Sequence, residues 1–196
     1  MQHAEKGYLD STVWELAKNR LLWLLILMVS ATLTASLINH YNRLLETMVV
    51  LTAFIPMLMD TGGNSGNQAS TLMVRGLATG EVTFRDWGKV LWKELRVGLL
   101  CAFILASINF LRIAIFAQAV WTVNLVVNLT LFFTVVVAKV LGSSLPIAAK
   151  MARLDPALMA SPILTTMVDL FTLLIYFLIA THLLPLLGFQ PATPGV

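Results

Sequence analysis

Charge is what this chain lacks most. Only 12% of its 196 residues are Asp, Glu, Lys or Arg, against roughly a quarter in an ordinary soluble domain. Hydrophobic residues make up 58% and the mean hydropathy is +0.84. That balance excludes a water-soluble globule and indicates an all-α integral membrane protein. The one cysteine, Cys101, lies in an apolar run, which excludes an internal disulfide framework and a cysteine metal cluster. The net charge of +3 is small. Without basic residues interleaved with aromatics, it speaks for loop charges set by membrane topology and against nucleic acid as a partner. Met1 to Arg20 is too long and too mixed in charge for a secretory signal peptide, and the run after it is long enough to span a bilayer.

The runs that are present predict five transmembrane helices. Gly7 to Arg20 reads as an amphipathic interfacial lead-in, capped by Asp10-Ser11-Thr12 with Glu15 in its first turns. The domain division expected is therefore a lead-in at 1–20, a five-span unit at 21–187 and an uncharged tail at 188–196. Leu21 to Ile38 is uncharged and is the first span. Leu44 to Ala78 is too long for a straight crossing: at about 1.5 Å per residue it would measure roughly 50 Å against a core near 30 Å. It must tilt, extend or bend, and Pro56 offers a kink. The third span runs from Val97 to Phe116, with Arg112 snorkelling at its far end. The fourth covers Val120 to Leu145 and is bent or ended by Gly142 and Pro146, with Lys139 low in it. Asn128-Leu129-Thr130 matches a glycosylation sequon but lies within this apolar helix and carries no meaning as one. The fifth span follows Asp155-Pro156. Ten basic residues, including Lys18, Arg75, Arg96 and Lys150, fall on the side of the N-terminus, and only Arg43 and Arg112 on the other. The N-terminus is thus expected to be cytoplasmic and the C-terminus external.

Two spans carry polarity that lipid cannot hydrate. In the fifth, Ser161, Thr165, Asp169 and Thr172 share one narrow stripe on a helical wheel. An ionisable residue there is a functional candidate; the plain alternative is a protonated carboxyl hydrogen-bonded to a neighbouring helix. In the second, Gly62, Gly66 and Ser70 form a small-xxx-small packing row, and the adjacent row of Gly63, Asn67 and Thr71 presents amide and hydroxyl groups. The GGNSG run lacks the Lys-Ser/Thr of a phosphate loop. These all-oxygen donors suit Mg²⁺ or Ca²⁺ over zinc or copper. One Asp per chain cannot strip Mg²⁺ of its water, so two copies of Asp169 on a dimer axis would bind a hydrated ion and balance its charge. An intramembrane aspartyl protease would use two acids, here Asp60 and Asp169, but its Gly-x-Gly-Asp context is absent around Asp169, so no enzyme is expected. A non-transporting assembly module would leave a buried acid without a task.

The stretch Pro56-Met57-Leu58-Met59-Asp60-Thr61-Gly62-Gly63-Asn64-Ser65-Gly66-Asn67-Gln68, with Arg75-Gly76-Leu77-Ala78 and Asp155-Pro156…Thr165-Thr166…Asp169…Ile175-Tyr176, resembles the transmembrane domain of the MgtE family of magnesium channels over essentially the whole chain. The resemblance implies a bacterial, multi-pass cell-membrane protein, a homodimer in the lipid bilayer whose second and fifth spans line one central pore for Mg²⁺, with Mn²⁺, Co²⁺ or Ca²⁺ as further ions. It implies that Asp169 holds the hydrated ion as a metal ligand, that Thr165 offers a backbone carbonyl one turn away, and that Asn67 and Thr71 line the pore. Ser161 stands where some members have Asn, and Phe171-Thr172 replaces a smaller pair. The same donors would serve an ion-coupled Mg²⁺ exchanger. The family's cytoplasmic Mg²⁺-sensing domains precede the first span; here only residues 1–20 do. No cytoplasmic regulatory domain is therefore expected, nor the steep closure by internal Mg²⁺ that such domains cause, and residues 7–20 would match the end of the connecting helix.

Overall fold

The computed structural model describes residues 12–117, 120–153 and 156–188, and it is helical wherever it forms regular structure. Helix α1 covers Val13–His40, α2 Asn42–Thr47, α3 Ile55–Thr79, α4 Trp87–Arg112, α5 Trp121–Met151 and α6 Pro156–Leu186. Three of these regions are long and apolar enough to cross a membrane: Phe84–Phe116, Trp121–Met151 and Pro162–Leu186. In α1 the apolar part among the described side chains, Leu24–His40, is shorter, and in α3 the polar GGNSGNQAS centre lowers the hydropathy.

The expected lead-in and first span are one helix. Thr12 caps α1 by a reciprocal pair: the Glu15 amide donates to Thr12 Oγ1 at 3.3 Å, and the Thr12 amide donates to Glu15 Oε2 at 2.9 Å. That cap was legible in the sequence; Asp10 and Ser11 lie outside the described residues. No breaker separates 20 from 21, so the helix continues.

The bend expected at Pro56 lies elsewhere. Met48, at φ −129° and ψ 68°, ends α2, and Val49–Phe54 follows as a 3₁₀ stretch before α3 begins. Pro56 sits in the first turn of α3, where its missing N–H has no helical partner to lose, so it starts the helix and does not kink it. The broken segment is pinned to α6. The Tyr176 hydroxyl donates to the Leu51 carbonyl at 2.9 Å, and Tyr41 stacks on Phe177 with ring centroids 4.4 Å apart. Leu44, Leu51, Phe54 and Leu58 are buried in the same cluster as Leu173 and Phe177.

Helix α5 is the hub, packed against α3, α4 and α6, while α3 also meets α6. It was expected to bend or end at Gly142 and Pro146; it does not end there, since both lie inside one 31-residue helix and are buried. The reason for Gly142 is contact. A Cβ there would fall directly onto the Gly66 carbonyl oxygen and within 3.1 Å of Gly66 Cα, so the α3 and α5 backbones touch at this crossing. Helix α4 keeps Gly98 and Ala102 inward, and exposes Leu100, Phe103, Ile104 and Ile108, a face that fits acyl chains and not water. Lys89, Lys93 and Arg96 lie within α4, which begins at Trp87 after the Thr83–Asp86 cap. Two links fix the ends of the bundle. Lys150 Nζ donates to the Leu77 carbonyl at 2.8 Å, and Arg112 reaches Met57 Sδ at 3.4 Å. The ends of α3 and α5 thus meet on the face that carries most basic residues, and the end of α4 meets the start of α3 on the other.

Candidate functional site

The site is built where α3 crosses α6. The packing row legible in the sequence makes this crossing possible. A Cβ at Gly62 would meet Thr134 Cγ2 at 2.7 Å, Val168 Cγ1 at 2.9 Å and Thr172 Oγ1 at 3.1 Å. At Gly66 it would meet the Ala138 carbonyl at 3.2 Å and Leu164 at 3.4 Å, and Ser70 is buried in the same row. Gly62 therefore lies level with Val168 and Thr172, and Gly66 with Leu164. Asp169, next to Val168 on α6, therefore lies near the level of Gly62.

Asp169 is half-buried and makes no hydrogen bond or ion pair with any described residue. Among the described residues no neighbouring helix offers the carboxyl the hydrogen bond of the plain alternative. Thr165, one turn below, is half-buried; its hydroxyl donates to the Pro162 carbonyl at 3.0 Å, as does that of Thr166 at 3.2 Å. Thr172 is 1% exposed and donates to the Val168 carbonyl at 2.7 Å, so α6 turns it against Gly62. The side chain of Ser161 lies outside the described ones.

On α3 the second row lies open. Asn64 and Thr71 are exposed and Asn67 is half-buried, and a Cβ at Gly63 would meet nothing within 4 Å. With Asp60, also exposed, residues 60, 64, 67 and 71 follow the i, i+4, i+7, i+11 spacing of a single helix face. Asp169 and this polar row thus stand on two helices that pack against each other. Among the described residues no three His, Cys, Asp or Glu side chains converge, so a divalent ion on this face would meet few carboxylates and keep most of its water.

Two polar links away from this row were given no task by the sequence reading. Lys139 is 6% exposed, and its Nζ donates to Gln68 Oε1 at 3.1 Å across the α3–α5 contact. Asn109 Nδ2 donates to Asn128 Oδ1 at 2.8 Å, and Asn128 Nδ2 donates to Asn124 Oδ1 at 2.6 Å, while Arg112 reaches Asn109 Oδ1 at 2.7 Å. The Asn128 of the meaningless sequon is a buried link between α4 and α5. The i, i+4 spacing of Asn124 and Asn128 in an apolar helix was the available signal.

A family model described as "MgtE: Divalent cation transporter" matches residues 55–179, which includes all of α3 and α6 as far as Ile179. The chain is similar to the magnesium transporter MgtE of Thermus thermophilus, 36% identical over 169 residues that cover 84% of this chain and 36% of that protein. With the magnesium transporter MgtE of Bacillus subtilis it shares 30% identity over 176 residues, 88% of this chain and 38% of the relative. With that of Enterococcus faecalis it shares 33% over 169 residues, 84% and 36%. The chain thus spans little more than a third of the length of the relatives it matches.

Proposed function

Because the chain belongs to the MgtE family of divalent cation transporters, we propose that it carries hydrated Mg²⁺ through the cell membrane as a channel. The observation that carries this reading is Asp169, a half-buried carboxylate with no hydrogen bond or ion pair to a described residue, on a helix packed against α3, which bears the polar row. A hydrated cation is the partner that both the charge and the all-oxygen surroundings fit.

In this reading α1, α3, α4, α5 and α6 are five spans, and two copies of the chain pair so that α3 and α6 of each line one central path. Two Asp169 carboxylates then balance the two charges of one Mg²⁺, through its water shell. Asn67, Thr71 and Gly63 form the wall below, and the backbone at Thr165 and the position of Ser161 face the inner half. Thr172, which α6 turns against Gly62, sets the spacing of that wall. The basic residues at the ends of α3 and α5 face the cytoplasm, with the C-terminus external. The ion pathway would also admit Mn²⁺, Co²⁺ or Ca²⁺. Inward Mg²⁺ movement gains about 4.6 kcal/mol per 100 mV, twice the roughly 2.3 of a single charge, so no coupling ion is required.

The test is electrical. In a planar bilayer containing this chain, Mg²⁺ current is expected to reverse at the Mg²⁺ equilibrium potential and to ignore Na⁺ and proton gradients. A reversal potential that shifts with either gradient would replace the channel by an exchanger built on the same Asp169.

A further inference from the structure

We infer that Asp60 captures the hydrated cation at the outer mouth of the pathway and passes it to Asp169. The inference rests on the pore reading above. Asp60 is two residues before Gly62, and Gly62 is level with Val168 and Thr172. Counting along the antiparallel helices at about 1.5 Å per residue places Asp60 roughly one turn outside Asp169, on the face continued inward by Asn64, Asn67 and Thr71.

The structural explanations for an acid at this position do not hold. Asp60 is exposed and makes no hydrogen bond or ion pair with a described residue, so it stabilises no contact among the described residues. Arg112 reaches Met57, one turn away on α3, but its guanidinium is committed to Asn109. Asp60 is also the sixth residue of α3, beyond the first turn in which the helix dipole favours a negative charge. A carboxylate left free on the polar side of a membrane helix needs water or a cation. A ring of two such carboxylates at a narrow aqueous mouth concentrates divalent ions through its field. The hydrated ion would be held through water-bridged hydrogen bonds, weakly enough to move inward to Asp169.

The experiment is Mg²⁺ influx into phosphatidylcholine vesicles holding this chain and a Mg²⁺-sensitive dye, over a range of external Mg²⁺ and ionic strength. For Asp60→Asn the external Mg²⁺ needed for half-maximal influx is expected to rise about tenfold, with maximal influx unchanged. The difference should shrink at high ionic strength, and Asp60→Glu should restore the parent curve. Asp169→Asn, run alongside, should lower influx severely across the range, in line with a binding loss of at least about a hundredfold. An Asp60→Asn curve identical to the parent would overturn the capture role while leaving the pore reading intact. So would a loss of maximal influx that Asp60→Glu does not restore, or a variant that no longer elutes like the parent, since either would make Asp60 structural. Full influx through Asp169→Asn would instead defeat the pore reading itself.

Discussion

Replacing Asp169 by Asn is expected to weaken Mg²⁺ binding at least about a hundredfold. The substitution keeps the shape and the hydrogen-bonding capacity of the side chain and removes only its charge. In the proposed dimer each of two carboxylates would contact the hydrated ion through charge-assisted hydrogen bonds, and a net value of about 1.5 kcal/mol per side sums to roughly 3 kcal/mol, or somewhat over a hundredfold. Because Asp169 makes no bond to any described residue, the fold should not suffer. Thermal midpoint and elution volume should match the parent, while titration calorimetry shows the loss. Asp169→Ala should behave alike. An Asn variant with unchanged affinity would remove Asp169 from the ion site.

The second large effect concerns packing. Gly142→Ala is expected to destabilise the protein by about 3 kcal/mol, the upper end for an overpacked contact, because the added methyl would land on the Gly66 backbone. Backbone cannot step aside as a flexible side chain can, so α3 and α5 must separate, and with them the row that seats α6. Gly63→Ala is the control, since nothing lies within 4 Å of its Cβ position. It should leave stability unchanged or raise it by about 0.5–1 kcal/mol, the helix preference of Ala over Gly. Melting of the two variants in one detergent decides the matter. Equal stability of Gly142→Ala and the parent would mean that the helix crossing is looser than the structure has it.

These two residues also show what the sequence revealed and what it hid. Asp169 was legible because a carboxylate in an apolar run is conspicuous under any register. The row of Gly62, Gly66 and Ser70 was legible because its four-residue spacing is itself the packing signal. Gly142 was read, with Pro146, as bending or ending the span, since one glycine in a helix looks the same whether it loosens the chain or admits a neighbour. Only the position of Gly66 distinguishes the two. The break at Met48 has neither Gly nor Pro beneath it; it arises because Leu44, Leu51 and Phe54 are buried against α6. Thr172 shares the angular stripe of Asp169, yet α3 covers one edge of that stripe and not the other, and periodicity says nothing of where a neighbouring helix lies. Lys139 finds Gln68 across 71 positions, beyond the reach of any local pattern.

The central claim is that the open face of α3, beside Asp169, is a wetted ion path. Thiol accessibility tests it most directly. With the native Cys101 replaced by Ala, single cysteines are introduced as Asn64→Cys, Asn67→Cys and Thr71→Cys, with Phe103→Cys on the exposed apolar face of α4 as the reference. In sealed vesicles, a charged, membrane-impermeant thiol reagent should modify the three α3 positions, Mg²⁺ should slow that reaction, and Phe103→Cys should stay unreactive. Unreactive α3 cysteines, or rates at all three that Mg²⁺ does not change, would contradict the pathway.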